Sequence, residues 1–220
     1  MKPAYFLTGT DTDIGKTFVT CALLHRARQD GLCAVGLKPV AAGTDSAGNN
    51  DDVVRIRAAS GLQLPADIVN PYCFAPAIAP HIAAAEAGVD IDFKRIDQTV
   101  RSARQQADLV IVEGAGGFCV PFGVDRNGAD LAAQLKLPVI LVVGMRLGCL
   151  NHALLTAEAI AARGLLIAGW VANCLATEMD RFSENLATLD EQLLAPRLGV
   201  LPYDPVGGSI AAAARLQLPA

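Results

Sequence analysis

The chain has 220 residues, of which 52% are hydrophobic, 18% charged and 5% aromatic, and its formal net charge is −4. This length can bury a sizeable aliphatic core, and we expect one α/β domain over residues 1–220. The slightly acidic balance argues against a nucleic-acid partner, because a nucleic-acid groove needs a basic face. The sequence also contains no run of about five or more like charges.

No apolar segment approaches the roughly 20 residues needed to cross a bilayer, so we expect no membrane partner. The N-terminus lacks the pattern of a secretory signal. Six cysteines are scattered without a C-x-x-C pair, which favours reduced thiols over a disulfide framework or a metal cluster. We therefore expect a cytoplasmic protein.

The first half of the chain alternates between apolar strands and helical patterns. "AYFLTG" (4–9) predicts the first strand, and helical spacing follows it as far as Gly31. "CAVGLKP" (33–39) predicts a second strand. The Gly-, Asn- and Asp-rich stretch 41–50 predicts a mobile loop, and "DVVRIRAAS" (52–60) predicts a helix. Several prolines in residues 64–88 predict a loop that contains one short helix at 81–88.

The second half continues the same alternation. A helix is predicted over about 93–106, and "ADLVIVEG" (107–114) is the clearest buried strand, with "GAGGF" directly after it. Three further strands are predicted at 137–144, 166–173 and 198–202. Helices are expected around 151–163 and 180–194, and the tail ends in a short helix. We find no linker, repeat or low-complexity segment.

A phosphate-binding loop is predicted between the first strand and the first helix, in "GTDTDIGKT" (9–17). Gly15 lets the backbone approach a phosphate, Lys16 can reach the β- and γ-phosphates, and the Thr17 hydroxyl is the expected Mg²⁺ ligand. The strict pattern requires glycine where Thr10 stands, and a plain surface turn is the alternative. Asp11 and Asp13 are unusual beside an anion unless they orient Lys16 or face away.

This loop and the alternating elements predict the fold class. We expect an α/β fold with a single doubly wound, mostly parallel sheet and helices on both faces, similar to the P-loop NTPases. Ligands of such folds bind at the carboxyl ends of the strands.

Three charged residues stand where that rule places ligand contacts. Glu113 ends a buried apolar strand, where it is either a solvated strand end or a partner of nucleotide-bound Mg²⁺. Asp52, with Asp51, is by default a helix N-cap pair. Lys38 ends the second strand and either lies beside the phosphate loop or extends along the surface. The three histidines lack partners at metal-ligand spacing and are expected to be structural.

At this point the chain resembles the dethiobiotin synthetases over nearly its whole length. The resemblance rests on "YFLTGTDTDIGKT", "GLKPVAAG", "VNPYCFAPAIAPH", "LVIVEGAGG", "LPVILVVGMRLGCLNHALLT" and "GWVAN", in this order and at family-like spacing. It implies ring closure of 7,8-diaminopelargonic acid with CO₂, dependent on ATP and Mg²⁺. A carbamate of one amine would attack the γ-phosphate, and the second amine would close the ureido ring and release phosphate. It also implies a homodimer.

The resemblance assigns roles to individual positions. Lys38 and Lys16 would be catalytic, and Thr17, Asp52 and Glu113 would bind the metal. The nucleotide would contact Asp13, Ile14, Gly15, Lys16, Thr17, Asp52, Glu113, Gly114, Ala115, Gly116, Asn173, Pro202, Tyr203 and Asp204, with Asn173 contacting the adenine. The substrate would contact Thr12, Lys38, Ala42 and Gly117, and its carboxylate would contact Gly148, Cys149 and Asn151 of the neighbouring subunit.

Two positions depart from the pattern of the family. Ala42 stands where many relatives have a hydroxyl residue, and Cys174 stands where an acid is common. A ParA/MinD-type switch ATPase is the main alternative, but such proteins typically carry an extra lysine early in the phosphate loop, where this chain has Thr10, Asp11 and Thr12. An amidotransferase-type synthetase would need a glutaminase domain, for which the chain has no room.

Overall fold

The computed structural model of the protein describes residues 2–204 and 206–219. The strands within these residues are β1 (Ala4–Gly9), β2 (Ala34–Leu37), β3 (Val40–Ala42), β4 (Tyr72–Phe74), β5 (Leu109–Glu113), β6 (Val139–Met145), β7 (Ile167–Cys174) and β8 (Arg197–Leu201). The helices are α1 (Lys16–Gln29), α2 (Asp51–Ala59), α3 (Ala66–Val69), α4 (Pro80–Glu86), α5 (Phe93–Gln106), α6 (Gly128–Leu135), α7 (Cys149–Ala162), α8 (Phe182–Gln192) and α9 (Gly208–Ala213). None of the helices in this part of the chain has the length and apolarity needed to span a bilayer.

The main sheet has six parallel strands in the described residues, in the order β2-β5-β1-β6-β7-β8. The chain first moves outward from β1 to β2, returns to β5, and then crosses β1 to continue with β6, β7 and β8. The direction of winding therefore reverses beside β1. In such sheets the reversal opens a crevice at the carboxyl ends of the strands, and this is where the loop between β1 and α1 lies.

Side chains of β1 alternate between two hydrophobic cores, as the period of a strand requires. Phe6 packs in one core with α5 and α6, and Tyr5 and Leu7 pack in the other with α1. A third core joins Trp170 of β7 to Leu189 of α8. The sheet is thus covered by helices on both faces, and the predicted doubly wound fold is confirmed.

The two-stranded parallel sheet of β3 and β4 is absent from the sequence-based prediction. The prediction that residues 64–88 form a loop with one short helix is wrong, because β4 lies within them. Tyr72 and Phe74 are buried and alternate with exposed Cys73. This alternation covers only three residues, which is too short to indicate a strand, and the prolines around it predict a loop. The short helix α3 was missed for the same reason, and the predicted loop 41–50 begins inside β3.

Helix α6 was also missing from the prediction. Its N-terminus carries a capping box, in which the Asn127 side chain accepts from the Asp130 amide and the Asp130 side chain accepts from the Asn127 amide. This reciprocal pair is a sequence-level signal for a helix start. Predicted and observed bounds of the other helices agree to within a few residues.

The C-terminal segment packs on α1 and β8 through a close backbone approach. Gly199 of β8 pairs with Leu216, and a side chain at Gly199 would collide with the carbonyl oxygen of Arg215. Leu216 and Ala212 are buried in the same core as α1. Gly199 therefore sets where the segment after β8 runs.

We expect Gly199→Ala to lower the free energy of unfolding by about 1–3 kcal/mol, because the added methyl group must displace backbone that cannot yield cheaply. Urea denaturation followed by circular dichroism measures the change. Gly123→Ala is the matched control, since a Cβ there meets open space. Equal stability of the two variants would contradict the packing described here.

Candidate active site

The loop between β1 and α1 is clamped by the end of β7. Gly15 precedes α1 with φ 83°, and a Cβ there would collide with the side-chain amide of Asn173. The same amide donates a hydrogen bond to the Ile14 carbonyl oxygen at 2.8 Å. Only glycine satisfies both the positive φ and this close approach. Ile14 and Asn173, both predicted to contact nucleotide, are therefore directly bonded.

Asp11 is bonded through both its side chain and its main chain, and its carboxylate also accepts from the Thr12 amide at 2.8 Å. Its carboxylate accepts from Arg146 at 2.6 Å, and its main-chain carbonyl oxygen accepts from the Lys16 ammonium at 2.7 Å. The backbone of Asp11 thus orients Lys16, while its side chain ties the loop to the segment after β6. Asp13 adopts a positive φ of 55° and lies between the two cavities described below.

Lys16 is buried, and burial together with the nearby charge of Lys38 lowers the pKa of its ammonium to about 8. The carboxylates of Glu113 and Asp52 act in the opposite direction but do not outweigh burial. In the free protein this lysine therefore loses part of its charge just above neutral pH. A phosphate group beside it would favour the charged form.

Glu113 is completely buried at the end of β5. Its Oε1 accepts from the Thr17 hydroxyl at 2.7 Å and from the Lys38 ammonium at 2.6 Å. Its Oε2 accepts from the Thr20 hydroxyl at 2.6 Å. The solvated strand end considered for this residue is wrong, because the carboxylate is buried among donors from α1 and from the end of β2.

Lys38 joins two carboxylates, since its ammonium also lies 2.9 Å from Asp52. Burial would lower the pKa of Lys38, but the attraction of Glu113 and Asp52 prevails and holds the pKa above its ordinary value. Burial likewise would raise the pKa of Asp52, and Lys38 and Thr17 hold it below the ordinary value. Lys38 and Asp52 therefore keep their charges at neutral pH. The surface position considered for Lys38 is wrong, because this side chain is buried.

The helix-capping role considered for Asp52 belongs to a neighbouring residue. Asn50 is the N-cap of α2, and its side chain accepts from the Val53 amide at 3.2 Å and donates to the Gly43 carbonyl oxygen at 2.7 Å. Asp52 lies in the first turn of α2 and is free to face Lys38. Asn50 also fastens the loop after β3 to the start of this helix.

Two cavities flank the phosphate loop. The first, which we call the Lys38 cavity, has a volume of about 570 Å³ and is lined by Lys38, Asp52, Thr12, Ala42, Ala115 and Gly116, with residues 77–80 as an apolar wall. The second, the Asn173 cavity, has a volume of about 280 Å³. Among its lining residues are Gly15, Phe18, Asn173, Pro202, Tyr203 and Asp204. The residues predicted to contact the nucleoside thus line the Asn173 cavity, whereas three of those predicted to contact the substrate, Thr12, Lys38 and Ala42, line the Lys38 cavity.

Some predicted site residues lie apart from these cavities. Gly148 precedes α7, and Gly148 and Asn151 are exposed, whereas the Cys149 side chain is buried. Gly117 lines a neighbouring groove with Thr12. Gly114 packs against the ring of Phe6, directly after Glu113. The ion pair of Arg146 with Asp11 links the phosphate loop to the segment just before α7.

Sequence reasoning missed three residues that organise this region: Thr20, Asn50 and Arg146. Thr20 follows Thr17 by three residues, so helical spacing alone places both on one face of α1. All six cysteines lie in the described part of the chain and are free thiols. His25, His81 and His152 lie on α1, α4 and α7.

The cluster can hold a hard divalent cation. Thr17, Asp52 and Glu113 supply one hydroxyl and two carboxylates, and Mg²⁺ prefers such oxygen ligands in small number together with substrate phosphates. No group of three or more His, Cys, Asp or Glu side chains suited to a metal occurs among residues 2–204 and 206–219. A cation at this position would therefore depend on phosphate oxygens to complete its coordination.

Comparison with known proteins identifies the family. The chain is 58% identical over 219 residues to the ATP-dependent dethiobiotin synthetase of Aromatoleum aromaticum, with 98% of this chain and 97% of that relative covered. The enzymes of the same name from Pseudomonas aeruginosa strain UCBPP-PA14 and Xanthomonas oryzae pv. oryzae are 51% and 46% identical, and each match covers at least 96% of both chains. The chain belongs to the dethiobiotin synthetase family. This confirms the resemblance found in the motifs, and members of this family are ligases.

More distantly related proteins share the fold of this chain. A family model described as an AAA domain matches residues 3–209, so the chain belongs to that wider family as well. The septum site-determining protein MinD from Pyrococcus horikoshii superimposes with a TM-score of 0.59 at 18% identity, covering 96% of this chain and 86% of that chain. A ParA family ATPase from Chlorobium tepidum gives 0.54 at 13% identity, with coverage of 97% and 93%. These two likenesses show the P-loop fold alone.

We expect Lys38→Met to lower the free energy of unfolding by about 3–5 kcal/mol, because Glu113 then remains buried without its cationic partner. Adding Glu113→Gln should recover at least half of this loss, since the fully buried charge is then removed and Asp52, whose side chain is partly exposed, remains in contact with water. Chemical denaturation of the wild type, both single variants and the double variant measures the coupling. Lys94→Met is the control for an exposed lysine. Strictly additive effects would refute the ion pair.

We expect ADP binding to take up protons at pH 8.5. The free protein then holds Lys16 largely uncharged, because the pKa of this group is about 8, and the phosphates of ADP restore the charge. Calorimetry in two buffers with different ionisation enthalpies measures the uptake. Lys16→Arg should bind ADP without it, because guanidinium stays protonated. Equal uptake by this variant would assign the proton to another group.

Proposed function

We propose that the chain catalyses the ATP- and Mg²⁺-dependent carboxylation and ring closure of 7,8-diaminopelargonic acid with CO₂ to dethiobiotin, with release of ADP and phosphate. The single observation that carries the proposal is the position of Lys38. Its ammonium is bonded to two candidate metal ligands, Glu113 and Asp52, and also borders the Lys38 cavity beside the phosphate loop. The Lys38 ammonium thus lies beside both the candidate metal ligands of the phosphate-binding side and the space for a small substrate.

In this proposal Thr17, Asp52 and Glu113 hold the Mg²⁺ that accompanies ATP. The ion supplies charge neutralisation for the triphosphate when it is bound. Burial would raise the pKa of Asp52, but Lys38 and Thr17 hold it below the ordinary value, so Asp52 can serve as a ligand without losing a proton. The contact of Lys38 with both carboxylates provides the positive charge that these acids need in the free protein.

Lys38 and Lys16 bring two anions together. One amine of the substrate takes up CO₂ and loses a proton to form a carbamate, whose oxygen attacks the γ-phosphorus while the bond to ADP breaks. Because both reactants are negatively charged, their approach requires cationic groups aimed at the transferring phosphoryl group. The Lys16 ammonium donates to the Asp11 carbonyl oxygen, and the Lys38 ammonium donates to Glu113. Both ammonium groups are therefore already held within the site and need not move in from solvent.

The second step closes the ring. The remaining amine attacks the carbonyl carbon of the carbamic–phosphoric anhydride, the bond from that carbon to the phosphate oxygen breaks, and phosphate leaves. Thr12, Ala42 and Gly117 would position the diamine, and the apolar wall at residues 77–80 suits its hydrocarbon chain. Positioning contributes strongly here, because both attacks must occur along defined directions.

The nucleoside occupies the Asn173 cavity in this proposal. Asn173 commits one N–H to the Ile14 carbonyl oxygen, which leaves its other N–H and its carbonyl oxygen for the adenine edge. Pro202, Tyr203 and Asp204 would enclose the base, while Asp13, Ile14, Gly114, Ala115 and Gly116 approach the phosphates. Cys174 borders this cavity, so the departure at that position bears on the choice of nucleoside.

We further propose that residues 1–220 act as one domain in a cytoplasmic homodimer. The start of α7 supports the homodimer, because Gly148 and Asn151 are exposed and do not line the Lys38 cavity of their own subunit. An N-terminus of a 14-residue helix attracts a carboxylate through its unpaired amides. Gly148, Cys149 and Asn151 would thus hold the substrate carboxylate of the neighbouring subunit.

We expect phosphate release from Mg-ATP to depend strongly on added diaminopelargonic acid and bicarbonate, because the phosphoryl group has no other acceptor in this scheme. Release is measured colorimetrically with each component omitted in turn, and dethiobiotin is detected by mass spectrometry.

Lys38→Met is the informative variant for this assay, since it should still bind ADP yet lose at least about a hundredfold in diamine-dependent release. Lys94→Met should behave as wild type. Release that continues unchanged without the diamine would favour a nucleotide-gated switch of the ParA/MinD type and would contradict the proposal.

A further inference from the structure

Thr20 holds the oxygen of Glu113 that Lys38 and Thr17 do not contact. Thr20 lies one turn after Thr17 on α1 and is completely buried. Its hydroxyl donates to Oε2 of Glu113 at 2.6 Å, whereas Thr17 and Lys38 both donate to Oε1. The two oxygens of one carboxylate therefore have different partners, and the plane of the carboxylate is defined by donors on both sides.

The Thr20 hydroxyl is used in an unusual way for a helical threonine. A buried threonine within a helix commonly donates back to a carbonyl oxygen of the preceding turn, as Thr99 of α5 does to Ile96 at 2.8 Å. Thr20 instead donates across to β5. An unpaired oxygen of a buried carboxylate is costly, so this bond opposes any rotation that would carry Oε2 toward the apolar surroundings.

Thr20 itself lines neither the Lys38 cavity nor the Asn173 cavity. Its methyl group lies on the side of β2, about 3.6 Å from where a side chain at Gly36 would begin. Any effect of its hydroxyl on bound ligands must therefore pass through Glu113. The methyl group of Thr20 therefore contributes to packing, whereas its hydroxyl holds the Glu113 carboxylate.

We propose that Thr20 is a positioning residue that fixes the orientation of Glu113 and thereby strengthens the binding of the divalent cation. The inference rests on the proposed function, in which Glu113 is a ligand of that cation. Some side chains hydrogen-bond a metal-ligating carboxylate without contacting the metal themselves. Removing such a side chain typically lowers metal affinity by about 10- to 100-fold.

The test measures cation affinity directly, with Mn²⁺ as the probe. The full-length protein is saturated with ADP, and free Mn²⁺ is followed by electron paramagnetic resonance during titration. Thr20→Val keeps the shape of the side chain and removes the donor, and it should weaken Mn²⁺ binding by about 10- to 100-fold. Thr20→Ser keeps the donor and should restore affinity to within about threefold of wild type, while Thr99→Val, the same substitution away from the site, should leave it unchanged.

Unchanged Mn²⁺ affinity in folded Thr20→Val would overturn the inference while leaving the cation site in place. Equal weakening in Thr20→Val and Thr20→Ser would also overturn it, because packing would then be responsible. Wild-type protein that binds no Mn²⁺ beside ADP would overturn the proposed cation site together with the inference. If Thr20→Val does not fold, Thr20→Cys is used in the same titration, and its weak S–H donor should give an affinity between those of valine and serine.

Discussion

A carboxylate buried at the end of a central strand sets the conditions for the whole site. Glu113 is completely inaccessible, and among the described residues it receives hydrogen bonds from Thr17, Thr20 and Lys38. A buried charge is tolerated only when it is paired and fully hydrogen-bonded. The start of α1 and the end of β2 must therefore keep their places around β5, and the order of the strands in the sheet provides this.

The two lysines of the site differ because their neighbours differ. Lys38 lies between two carboxylates and remains charged, whereas Lys16 is bonded to a neutral carbonyl oxygen and has its pKa lowered to about 8. Burial affects both groups, so the local partners decide the outcome. One lysine thus serves as the internal counterion of the acids, and the other responds to the arrival of an anion.

The overall fold is shared with a MinD protein and a ParA family ATPase at 13–18% identity. A fold does not by itself specify a chemistry, which depends on the residues of the site. The Lys38 cavity is bordered on one side by Ala41 and Ala42 of β3, by residues 77–80 and by Asn50, the cap of α2. Family membership rests on full-length sequence similarity and not on the shared fold.

All strands of the main sheet and the residues at their ends could be predicted from the amino-acid sequence, because continuous apolar runs indicate burial and a charged residue at the end of such a run stands out. Lys38 and Glu113 were found in this way, and the motifs identified the family. Three features became visible in the folded chain alone: β3 pairs with β4, Asn50 and not Asp52 caps α2, and Thr20 donates to Glu113. The strand pairing joins residues 32 positions apart and the Thr20 bond joins residues 93 apart, while the cap of α2 was a choice between chemically similar neighbours. Local periodicity carries no information about which distant partner a side chain meets.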